Sequence, residues 1–348
     1  MSETPAIIAS GFPGKREDAH RAGITIAAFM DLANGISGED RALMRRLSIA
    51  LAAIFVFTFA YSQLHLMYSH KFFNVTGRAQ WIWMRHRLAA GTPIAFFATR
   101  DFDLTPDRYF TRIKIAADPE YTLYFNGQMI AGRHGEEGSI LDVYDVTKLA
   151  HDGRNRIVIA ARSANGVGGV IAAVDTRPDF HLLASDATWH IVGRWTDDLP
   201  LRDPAGALAK PLLLGRPPAG QWNELTAREG HFMKPPQRVI TPVQAIAVNA
   251  ALMEINVVGG VAVAGSKPTP GIAYDFGGNI DGRVQLITSE SGLVRIRRGY
   301  WLSDLTPAEG PVEAFVLAAG ERAITDPEVR NFRYVLVYGG QAKARVVQ

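Results

Sequence analysis

The chain contains no cysteine, and that single absence removes disulfides, thiolate metal sites and cysteine nucleophiles together. It also lacks a surplus of charge, since 37 Lys and Arg stand against 34 Asp and Glu, largely interspersed. Nucleic acid requires a basic stripe to displace counterions from its phosphates, so a nucleic-acid partner is excluded. The nine histidines show no metal-ligand spacing, and no metal site is expected. Low-complexity tracts are missing too. A composition 47% hydrophobic and 20% charged, with 33 Gly and 19 Pro across 348 residues, fits β-rich globular structure with room for two domains.

One long uncharged run is present. From Leu47 to Ser69 there is no Asp, Glu, Lys or Arg, and Arg45-Arg46 and His70-Lys71 bound the segment. A helix of that length covers roughly 30 Å or slightly more, the thickness of a bilayer's hydrocarbon core. Residues 47–69 are therefore expected to cross a lipid bilayer once, with 1–46 as a cytoplasmic segment. A cleaved signal peptide fits poorly, because the run starts far in and no small-x-small site follows it. Tyr61 and Tyr68, with Trp81 and Trp83 just beyond, are expected to form an interfacial aromatic belt. Basic residues flank both ends of the run in nearly equal number. The amino terminus is placed inside because long downstream domains translocate largely regardless of charge.

Beyond the run the pattern changes to period two. Tyr109-Phe-Thr-Arg-Ile-Lys-Ile-Ala-Ala and Arg156-Ile-Val-Ile-Ala-Ala-Arg alternate as strands do. Asn126-Gly127 between Tyr121-Thr-Leu-Tyr-Phe and Met129-Ile-Ala predicts a tight hairpin, and Asp152-Gly153 predicts another. Many short strands with regular turns indicate a mainly β fold of two sandwich or jelly-roll domains after the helix, at 72–199 and 240–348. Between them, 200–239 holds seven prolines and reads as an extended linker packed over both. Gly-Val-Gly-Gly at 166–169 is followed by no Lys-Ser/Thr, so a bend entering a strand is expected there rather than a phosphate loop. Glu136-Glu137 and Asp197-Asp198 are adjacent carboxylates, and neighbours on a strand face opposite sides, so they read as solvated charges rather than an acid/base pair.

Four blocks in order carry a resemblance: Asp118-Pro-Glu-Tyr-Thr-Leu-Tyr-Phe-Asn-Gly-Gln, Tyr144-Asp-Val-Thr-Lys-Leu, Gly153-Arg-Asn-Arg-Ile-Val-Ile-Ala-Ala and Asp186-Ala-Thr-Trp189. They are similar to the galactose-binding-like jelly roll found beside catalytic domains in glycoside hydrolases. Pro235-Pro-Gln-Arg-Val, Tyr274-Asp-Phe-Gly-Gly-Asn-Ile-Asp-Gly-Arg-Val-Gln-Leu and Asn331-Phe-Arg-Tyr-Val-Leu-Val resemble the second sandwich of bacterial α-L-rhamnosidases. In that family a catalytic barrel follows, and the chain reaches Gln348 without it, so the resemblance implies a protein that is not an enzyme. It implies Trp189 in the core, and a glycan as a candidate partner.

Gly35-Ile-Ser-Gly-Glu-Asp-Arg-Ala, followed by the apolar run ending in Gln63-Leu-His65-Leu-Met-Tyr68, resembles the light-harvesting antenna β polypeptides of purple-type phototrophs. This resemblance implies a bacterial inner, photosynthetic membrane, with the amino terminus cytoplasmic and the β domains periplasmic. It makes other membrane subunits the partners, and His65 a candidate bacteriochlorophyll ligand with carotenoid contacts along the helix. A histidine near a span's end also suits the headgroup region, and that alternative stands beside it. Two functions follow: a structural subunit of a photosynthetic reaction-centre and antenna complex, or a membrane-tethered carbohydrate-binding protein.

Overall fold

The computed structural model describes residues 38–74, 76–86, 92–108, 110–133, 140–177, 182–206, 208–222, 224–258, 261–305, 312–325, 328–338 and 341–348; side chains at 38–42, 65–74 and 250–267 lie outside the description. The chain forms two compact units, Met1–His70 and Lys71–Gln348.

In the first unit, helix α1 (Gly38–Asn74) contains a stretch long and apolar enough to cross a membrane, Leu43–Leu64, none of it buried by the protein. It starts four residues before the expected run. Two of its hydroxyls bond back within the helix: Ser48 Oγ donates to the Met44 carbonyl at 2.8 Å and Thr58 Oγ1 to that of Ile54 at 2.7 Å.

Beyond the end of α1, the second unit is β apart from one short 3₁₀ turn among the described residues. Its first sandwich uses β1 (Trp81–Trp83), β2 (Ile94–Leu104), β3 (Thr111–Asp118), β4 (Glu120–Phe125), β5 (Gln128–Arg133), β6 (Ile140–Asp145), β7 (Gly153–Ser163), β8 (Gly169–Thr176), β9 (Leu183–Ala184), β10 (His190–Val192), β11 (Leu212–Gly215) and β12 (Thr226–Glu229). One sheet runs β11-β1-β8-β3-β6-β12, with β9 beside β8, and the other β10-β2-β7-β4-β5. Phe96, Ile113, Ile115, Leu123, Ile159, Ala172 and Trp189 fill the space between them. Asn126 and Gly127 have φ of 48° and 84°, the left-handed pair that a two-residue β4–β5 turn demands.

The 200–239 segment is more than a connection. It returns to the first sandwich as two edge strands, β11 antiparallel to β1 and β12 parallel to β6. Trp81 and Trp83 correct the belt expectation: they are 0% and 2% exposed, because β1 carries them into the sandwich. Trp81 stacks on Trp222 at 4.5 Å, and Trp83 meets Phe96 edge-on at 4.9 Å. The glycine run at 166–169 gains its reason here. A Cβ on Gly168 would lie 2.7 Å from Trp83, and one on Gly169 would lie 2.6 Å from Trp222, so the glycines are what let the indoles close over the entry to β8.

A third sheet comprises β13 (Val239–Ile240), β14 (Gln244–Val258), β15 (Val261–Thr288), β16 (Gly292–Gly299), β17 (Glu313–Leu317), β18 (Arg322–Ile324), β19 (Arg330–Tyr338) and β20 (Ala342–Val347). Strand β15 shifts register between Asp275 and Ile280, pairing with β19 up to Gly282 and with β20 and β18 from Arg283 onward. That offset folds the sheet on itself around Phe276, Val284, Leu286, Val335, Val337 and Val346.

Candidate binding cavity

A cavity of about 660 Å³ opens where β5, β6 and β12 of the first sandwich meet the segment after β12 and the start of β15's second half. Its volume lies within the roughly 300–1,000 Å³ of small-molecule sites. The floor is built on Asp142, which is 1% exposed. Arg228 sits directly across from Asp142 in the parallel β12–β6 ladder. It grips Oδ1 through Nε at 3.0 Å and Nη2 at 2.7 Å, a two-pronged pairing suited to the planar guanidinium. Oδ2 accepts from the Tyr121 hydroxyl at 2.7 Å and from Arg133 Nη1 at 3.3 Å. Tyr121 has one proton and gives it to Asp142, so Tyr144, whose hydroxyl oxygen lies 2.7 Å away, donates to Tyr121. Burial, with contributions from Tyr144 and Asp142, holds the Tyr121 phenol well above its ordinary value; burial likewise pushes Tyr144 up to about 12. Both phenols stay protonated and serve as fixed hydrogen-bond groups.

The wall is the segment that follows β12. The Gly230 amide donates to the Val143 carbonyl at 2.9 Å, and the Met233 amide to that of Ile130 at 2.8 Å. A Cβ on Gly230 would lie 2.4 Å from the Tyr144 ring, so only glycine lets the chain pass. Phe232, 46% exposed, meets the Tyr144 ring edge-on at 5.8 Å. An open aromatic face beside fixed polar groups can stack on the C–H face of a sugar ring while the polar groups hold its hydroxyls. Glu229 also lines the cavity, but it pairs with Val143, one position out of step with Asp142, and so leaves β12 on the opposite face.

Of the residues singled out from sequence, His65 lies in α1 and its side chain is outside the described residues, as are Glu136 and Glu137. Asp197 pairs with Arg322 at 3.2 Å, and Asp198 with Arg202, all at the surface. Trp189 is wholly buried. The cavity residues escaped notice because they come from distant segments. The one local signal was Arg-Glu-Gly-His-Phe at 228–232, polar and aromatic residues inside a stretch otherwise dominated by proline.

No family model matches the sequence, and no curated protein does. Among solved structures, the chain is similar to the α-L-rhamnosidase of Dictyoglumus thermophilum, at 19% identity and a TM-score of 0.42 over 78% of this chain and 35% of that one. The α-L-rhamnosidase of Aspergillus terreus gives 14% identity and 0.44, over 78% and 36%. A lectin of Pleurotus ostreatus, solved with GalNAc, gives 11% and 0.36, over 79% and 77%. The chain spans about a third of the length of these two rhamnosidases.

Proposed function

We propose that this chain is a non-catalytic carbohydrate-binding protein held to a membrane by α1, with the β portion on the exported side. The observation that carries this reading is the cavity, where exposed Phe232 stands over Tyr144 and the Asp142 cluster fixes donors and acceptors around it. The full-length chain in detergent is expected to bind a subset of glycans on an array. Phe232→Ala should weaken that binding about tenfold, in line with the loss of a stacking aromatic, and leave the melting temperature within a few degrees. Hydrolysis of a bound glycan by the wild-type chain, or a flat array, would contradict the reading.

A second reading, a structural subunit of a membrane assembly, draws support from β14. Fifteen consecutive residues pair with β15 on one side, and among the described residues no strand pairs with the other. Such an edge is a template for strand addition. Subunits co-purifying in fixed ratio from gently solubilised membranes would favour it. Bacteriochlorophyll or carotenoid absorption in that material would extend it to a photosynthetic complex with His65 as a ligand.

A further inference from the structure

Two buried arginines of the β portion are matched by acids. Arg156 pairs with Asp101 and Asp203, and Arg162 with Glu120 and Glu321. Arg283 differs. It is 5% exposed and lines the cavity, yet its guanidinium makes one hydrogen bond, from Nη2 to the Lys234 carbonyl at 2.9 Å. No carboxylate pairs with it among the described residues. A desolvated charge with a single neutral partner is costly to keep, and burial pulls Arg283 below the usual guanidinium value with no neighbouring charge to offset it.

The other described side chains of the lining do not supply the missing charge. Asp142 is already shared by Arg133 and Arg228. The Gln348 main-chain oxygen accepts from the Gln237 and Arg238 amides. Glu229 is exposed, and Lys234 is exposed on the same wall as the carbonyl that Arg283 holds. The described lining thus carries four basic side chains, Arg133, Arg228, Lys234 and Arg283, against two acidic ones, Asp142 and Glu229.

We infer that the cavity takes an acidic glycan, with the carboxylate of a uronate sugar received by Arg283 and Lys234 and the sugar ring lying against Phe232. The inference rests on the carbohydrate-binding reading and adds the charge of the ligand to it. A guanidinium presents two parallel N–H groups to a carboxylate, a geometry that a neutral hydroxyl does not use as fully.

The test titrates the full-length chain in detergent with a glucuronate trisaccharide and with its methyl ester, which keeps the ring and removes the charge. The acid is expected to bind at least tenfold more tightly than the ester, with the preference shrinking as salt is added. Arg283→Gln should abolish the preference, the acid then binding no more tightly than the ester. Lys234→Gln, at an exposed position, should reduce it severalfold and carries the test if Arg283→Gln does not fold. Equal binding of acid and ester by the wild type, or a preference untouched in a folded Arg283→Gln and in Lys234→Gln, would overturn the inference and leave the glycan reading standing. Binding of neither sugar by a chain that also gives a flat array would remove both.

Discussion

Two buried ion pairs show how differently charge can serve this protein. Lys114 and Asp175 are both fully buried and 2.5 Å apart within the β3–β8 pair. Burial draws the lysine below its ordinary value while Asp175 works to restore it. Arg162 and Glu321 join the two β bodies instead, for Arg162 lies on β7 and Glu321 just before β18. Glu321 is 0% exposed, and its second oxygen accepts from the Ala318 amide at 3.1 Å. Removing one partner of such a pair strands the other charge, at a cost of about 3–5 kcal/mol, whereas replacing both with apolar residues is often neutral. Arg162→Met, which leaves the fully buried Glu321 uncompensated, is therefore expected to lower the thermal midpoint followed by tryptophan fluorescence by at least several degrees. The double change Arg162→Met/Glu321→Leu should restore most of the loss. A midpoint unmoved by the single substitution would show that the pair does not hold the bodies together.

Among the elements, α1 presents an apolar surface that no other described residue covers. Every described side chain from Leu43 to Leu64 is exposed, including Phe55 and Phe59, which stack at 6.4 Å. Water would leave that surface unsatisfied, so the full-length chain should remain in the pellet after carbonate washing of membranes. Its appearance in the supernatant would refute a spanning helix. This helix was plain in the sequence because an uncharged run is a local signal, and the β4–β5 hairpin was plain because Asn126-Gly127 names its own turn. Strands β11 and β12 were not. Their short lengths and the surrounding prolines hide alternation, and their partners β1 and β6 lie far back in the chain. The cavity shares that fate: Asp142, Arg228 and Arg283 meet only once β12 has returned and β15 has shifted register.

For the β portion as a whole, acid is the condition that exposes how the returning segment is fastened. Asp203, within that segment, accepts from Thr99 on β2 at 2.7 Å and from Arg156 on β7 at 2.5 Å, and it lies 2.7 Å from His190 on β10. Burial works to raise its carboxyl, but the hydrogen bonds from Arg156, Thr99 and His190 outweigh that and bring it down to about 2 from 3.8. A value depressed on folding contributes stability above the unfolded value, and the contribution fades as pH falls from 3.8 through about 2. It is worth roughly 2 kcal/mol. Asp203→Asn should accordingly lower stability at neutral pH and flatten the fall in melting temperature between about pH 4 and 2. A slope matching the wild type would show that other carboxylates govern the acid limit.

The Trp81–Trp222 stack has an optical consequence. Two indoles 4.5 Å apart with their planes 18° from parallel couple their transitions. One indole belongs to the first strand of the sandwich and the other to the segment that comes back to it. Their joint circular dichroism in the near ultraviolet therefore reports whether that return is complete, a signal native to the chain that needs no attached dye.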